Sequence, residues 1–149
     1  LDYQSKTSLA LLKILLDEYW GLYPELLSSA SGYEDEIKEK KAGLIIGDRA
    51  FLYQNKFEYT YDLAEIWRLH TGLPFVFACW IANKKLDQNF QIEFNEALSF
   101  GINNIDKAIE EAANIYKHCK NPTDYLNNKI SYLLNTEKRK AMQLFLQKI

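Results

Sequence analysis

The stretch Gly43–Ala50, GLIIGDRA, constrains the fold most. Leu44, Ile45 and Ile46 lie between two glycines, and the acid–base pair Asp48-Arg49 follows at once. A short, continuously apolar run bounded by glycine predicts a strand buried on both faces, as in a parallel sheet. Gly47 lets the backbone turn and leaves room for a ligand. Asp48 and Arg49 then fall just past the carboxyl end of the strand, where open α/β sheets bind small molecules. The same residues also read as a plain strand–helix turn whose Asp48 caps a short helix.

A second apolar run, Phe75–Ala82 (FVFACWIA), predicts another buried strand, with Cys79 as a core filler. Leu1–Tyr3 reads as the end of a strand already under way, and the chain therefore reads as a fragment. Between the strands lie helical patterns. Thr7 and Ser8 open a helix over Leu9–Trp20 with apolar positions Leu9, Leu12, Leu15, Leu16 and Tyr19. They serve as caps there, or hold an anion where the helix dipole favours one. Tyr33–Lys40 predicts a short helix, and Phe51–Tyr61 an aromatic excursion packed over the sheet. Asp62 caps a helix carrying Leu63, Ile66, Trp67 and His70 on one face, and Gly72 with Pro74 ends it. From residue 83 onward the pattern is helical throughout: Asp87–Phe100, Asn103–Cys119, Thr123–Leu134 and Glu137–Ile149, separated by Gly101, Asn121-Pro122 and Asn135-Thr136.

Composition narrows the chemistry. The chain has 149 residues, 48% hydrophobic and 14% aromatic, enough for one compact domain or two small lobes. A net charge of −2 argues against nucleic acid as a partner, and the basic runs Lys38–Lys41 and Lys138–Lys140 read as solvated helix faces. No stretch is long and apolar enough to span a membrane. Two histidines and two widely spaced cysteines supply neither a His-based triad nor a multi-ligand metal site. Phosphate-binding glycine loops and zinc-protease signatures are absent. The residues left for chemistry are hydroxyls, backbone dipoles, Asp48 and Arg49. His70 reads as a partly buried helix residue rather than a base.

Three ordered segments, LDYQSKTS (Leu1–Ser8), GLIIGDRA (Gly43–Ala50) and YDLAEIWRLHTGLPFVFACW (Tyr61–Trp80), together resemble chorismate dehydratase of the futalosine route to menaquinone, a relative of the two-lobed periplasmic binding proteins. ALSFGINNID (Ala97–Asp106) and NNKISYLLN (Asn127–Asn135) resemble the helical tail of that family. The resemblance implies an α/β, periplasmic-binding-protein-like (type II) fold. In it, residues 1–73 form the second lobe, and 74–149 supply a crossover strand and the helical carboxyl-terminal part of the first. A first-lobe segment that family members carry ahead of LDYQSKTS has no counterpart here.

The implied activity is a hydro-lyase reaction, removal of water from chorismate to give 3-[(1-carboxyvinyl)oxy]benzoate in the cytoplasm, with no cofactor and no metal. Carried over by the resemblance, Thr7 and Ser8 anchor a carboxylate of the dicarboxylate substrate. Asp48 is the catalytic residue, hydrogen-bonding the substrate or moving a proton, and Gly47 and Arg49 complete the substrate-binding set. Arg49 alternatively holds Asp48 or a contact between lobes. A half-supplied cleft implies that the chain needs the missing segment in trans, pairs with another copy, or is inactive. A sister enzyme of the same pathway, which makes 1,4-dihydroxy-6-naphthoate, implies a cleft histidine that the Gly47 region lacks. The alternative from another class is a non-enzymatic solute-binding protein for a small carboxylate.

Overall fold

The computed structural model describes residues 5–53, 55–115 and 119–149. Every regular element among them is helical. In chain order these are α1 (Lys6–Leu15), α2 (Asp48–Tyr53), α3 (Leu63–Thr71), α4 (Gln88–Asn103), α5 (Ile105–Glu111), α6 (Pro122–Asp124) and α7 (Thr136–Lys148). A π-turn over Leu16–Trp20 continues α1, another over Tyr125–Lys129 continues α6, and a 3₁₀ turn spans Tyr33–Glu36. The chain divides into two bodies, Leu1–Ala78 with Leu134–Ile149, and Cys79–Leu133.

This overturns the α/β, periplasmic-binding-protein-like (type II) two-lobed architecture that the resemblance implied. No strand occurs among the described residues, neither at Gly43–Ile46 nor at Phe75–Ala82. The physical reason is pairing. A strand is held by a neighbour's hydrogen bonds, and an apolar run without such a neighbour stays irregular. Leu44 instead gives its carbonyl to the Tyr33 hydroxyl. Phe75 packs into a helical core, whereas Trp80 and Ile81 further along the same run are 77% and 85% exposed. Cys79 is exposed as well, not a core filler. With no sheet to cover, the first part of Phe51–Tyr61 closes α2 rather than forming an excursion. The strand end expected at Leu1–Tyr3 lies outside the described residues.

The core of the first body forms where α1, α3 and α7 meet. Leu11, Ile14 and Leu15 from α1, Ile66 and Trp67 from α3, and Phe145 from α7 make one buried cluster, with Phe75 packed against it. Trp67 and Phe145 meet edge to face at 6.1 Å, and Phe75 and Phe145 at 5.0 Å. Such pairs add roughly 0.5–1.5 kcal/mol beyond area burial. The buried face of α1 is Ser8, Leu11, Ile14 and Leu15. That shares only Leu15 with the expected Leu9, Leu12, Leu15, Leu16 and Tyr19 stripe, and Tyr19 is exposed. Ser5, ahead of the expected start, is the cap: its hydroxyl accepts the Ser8 N–H at 3.0 Å.

Helix α3 follows its local signals. Asp62 accepts the Ala64 and Glu65 N–H groups, and Gly72 closes the helix at φ +71°. A three-way cluster ties the elements of this body together at the surface. Glu18 accepts from Lys148 Nζ at 2.9 and 2.6 Å, and lies 3.1 Å from His70 Nε2.

In the second body Asp87 caps α4, which runs through Gly101 rather than stopping there. Pro122 takes the first position of α6, where its missing N–H costs nothing. Asn127 donates to Asp106 at 3.1 Å, joining the π-turn after α6 to α5. None of the described residues of this body is fully buried.

Candidate functional site

The Gly47–Arg49 corner is built from a turn and a packed tyrosine. Gly47 adopts φ +61°, and a Cβ there would meet nothing within 4 Å, so the glycine is required by conformation and not by space. Its carbonyl accepts the Ala50 N–H at 2.9 Å and starts α2. Gly43, four residues earlier, is needed for space. A Cβ there would collide with the Ile37 side chain and approach the Tyr33 ring to 3.2 Å.

Asp48, the first residue of α2, is exposed. Arg49 points the other way. Its Nη1 donates to Glu34 Oε1 at 2.7 Å, and its guanidinium lies 5.9 Å from the centre of the Tyr33 ring. Glu34 is only 3% exposed, so its carboxylate is held by a charge-assisted bond in a largely dry setting. Arg49 thus engages Glu34, a partner that the sequence reading did not consider. Glu34 sits in the acidic run Glu34-Asp35-Glu36, whose local pattern looks solvated, and only the fold reveals its burial.

Thr7 and Ser8 occupy the first turn of α1. Thr7 is half-buried. Ser8 is buried, and its hydroxyl accepts from the Ser5 hydroxyl at 2.9 Å. Ser8 bonds to Ser5, and Arg49 donates to Glu34.

Two further features bear on chemistry. His70 is a half-buried helix residue engaged with Glu18. The Lys148 and His70 hydrogen bonds hold the Glu18 carboxyl below its ordinary value. Among the described residues no group of three or more His, Cys, Asp or Glu side chains is arranged to hold a metal ion. No helix of the described residues is long and apolar enough to cross a membrane.

No solved structure matches the chain. A family model described as menaquinone biosynthesis matches residues 1–149. The resemblance to chorismate dehydratase as a two-lobed binding-protein relative is therefore corrected: the association with menaquinone biosynthesis stands, while the absence of any strand among the described residues excludes that lobe architecture. Because the match spans the whole chain, this protein belongs to the menaquinone-biosynthesis family.

Proposed function

We propose that the chain acts in menaquinone biosynthesis as a hydro-lyase, removing water from chorismate to give 3-[(1-carboxyvinyl)oxy]benzoate in the cytoplasm. Membership of the family over all 149 residues is the observation that carries this reading. The reaction takes a ring hydroxyl and a ring proton from the substrate, releases them as water, and is driven by aromatisation. It calls for anchors for two carboxylates, a proton acceptor and assistance to the leaving hydroxyl.

The residues available suit those tasks. Thr7 and Ser8 stand in the first turn of a ten-residue helix whose dipole favours a carboxylate, with the Ser8 N–H itself taken by the Ser5 cap. The exposed Asp48 carboxylate hydrogen-bonds the substrate or moves its proton, and Gly47 keeps the backbone beside it unobstructed. Arg49, paired with the buried Glu34, braces that corner. The macromolecular partner in this reading is a second copy of the chain.

The test is a titration of the chain with chorismate, followed by ultraviolet loss of the cyclohexadiene. Diene loss that Asp48→Asn abolishes supports the reading. Saturable binding with chorismate recovered intact replaces it with the solute-binding alternative, and absence of both overturns it for this chain.

A further inference from the structure

We infer that Tyr33 and Glu34 are positioning residues for the Asp48 carboxylate, a clamp that grips the Gly43–Ala50 loop on both sides of its turn. The inference rests on the reading of Asp48 as the catalytic residue. Tyr33 and Glu34 are consecutive in the 3₁₀ turn Tyr33–Glu36, and both are buried there. The Tyr33 hydroxyl donates to the Leu44 carbonyl, ahead of Gly47. Glu34 accepts from Arg49 Nη1 at 2.7 Å, beyond Gly47. Asp48 falls inside the span that these two bonds enclose, and it is exposed.

The loop needs such anchors. Gly47 sits at φ +61° with open space where a Cβ would stand, and glycine populates both signs of φ readily. Helix α2, six residues long, is too short to be stable by itself. The direction of Asp48 is therefore set by what holds the chain on either side of it. Both grips are sheltered from water. The Glu34 side chain is 3% exposed, so its charge-assisted bond meets little competition. The Tyr33 ring joins the two grips: a Cβ at Gly43 would approach it to 3.2 Å, and the Arg49 guanidinium lies 5.9 Å from its centre. A reacting group displaced by about 1 Å can lose about 10²-fold in rate, which is the scale on which such a clamp acts.

The experiment uses the full chain and two mild substitutions, Tyr33→Phe and Glu34→Gln. Hydrogen exchange without chorismate comes first. The Ala50 N–H, bonded to the Gly47 carbonyl at 2.9 Å, is expected to exchange at least about tenfold faster in both variants, with the amides of α3 unchanged. Steady-state kinetics with chorismate come second. In both variants kcat is expected to fall at least about tenfold at unchanged KM, and Glu34→Ala is expected to lose more than Glu34→Gln, which still accepts from Arg49.

Unchanged exchange at Ala50 overturns the clamp. Faster exchange with kcat intact, or an effect confined to KM, overturns the positioning role and leaves the chorismate reading standing. A parent chain that leaves the diene intact overturns the chorismate reading and the positioning role with it.

Discussion

Arg49 donates to Glu34 at 2.7 Å across an asymmetric boundary: the carboxylate side chain is 3% exposed, the arginine side chain 24%. Removing either partner therefore has unequal consequences. Arg49→Ala leaves a buried carboxylate without its cation and is expected to cost about 3 kcal/mol. Glu34→Gln keeps an acceptor beside an arginine that water reaches, and is expected to cost about 1 kcal/mol. Urea unfolding of both variants checks the order, and equal losses would contradict the burial asymmetry.

Trp67 is fully buried, and its indole Nε1 is a buried atom without a hydrogen-bond partner. Such a donor costs about 1–3 kcal/mol. Trp67→Phe removes it along with some packing, so stability is expected to stay within about 1 kcal/mol of the parent. Trp67→Ala opens a cavity and is expected to cost about 3–5 kcal/mol. Thermal unfolding measures both.

Glu18 gives a pH prediction with a definite sign. Its folded-state pKa lies below the ordinary 4.5, chiefly because Lys148 and then His70 hydrogen-bond the carboxylate. The stabilisation is present above that ordinary value and is lost as pH falls through the depressed one. Lys148→Met is therefore expected to reduce the dependence of stability on pH below about 4.5 while changing little of its shape at higher pH. Acid titration followed by circular dichroism compares the two curves.

Ser5 caps α1 through the Ser8 N–H, so Ser5→Ala is expected to lower stability by about 1 kcal/mol. Thr7→Ala leaves that cap in place and is expected to change stability by less than about 0.5 kcal/mol. Chemical denaturation distinguishes the capping serine from its neighbour.

If chorismate is the substrate, Thr7→Ala is expected to raise KM with kcat little changed, the signature of an anchor. Asp48→Asn is expected to lower kcat by about 10²–10⁴-fold, as for a group that moves a proton. Steady-state kinetics on the diene absorbance separate the two roles.

What the sequence made legible follows from the range of the forces involved. Asp62, Gly72 and Pro122 act within one helical turn, and each stands where its residue type predicts. The Leu44–Ile46 and Phe75–Ala82 runs depend on what lies beside them in space, which an apolar run does not encode. Both lack strand structure in the fold. The face of α1 was displaced for a related reason: leucines at 9, 11, 12, 15 and 16 surround most of the helix, and α3 and α7 select which of them are covered. At the candidate site, Gly47 and Arg49 stood out locally, but Glu34 needed the Tyr33 packing and the α2 corner to be seen at all.

Phe145 reaches the core of the first body only after the chain has passed through residues 79–133. That core is consequently discontinuous in sequence. Closing a loop of this length costs about 3–4 kcal/mol of chain entropy before any contact of α7 repays it. Until it closes, the faces of α1 and α3 that meet Phe145 stay wet. The 47 residues between α1 and α3 impose a closure of similar cost, so every contact between helices that builds this core is long-range in sequence.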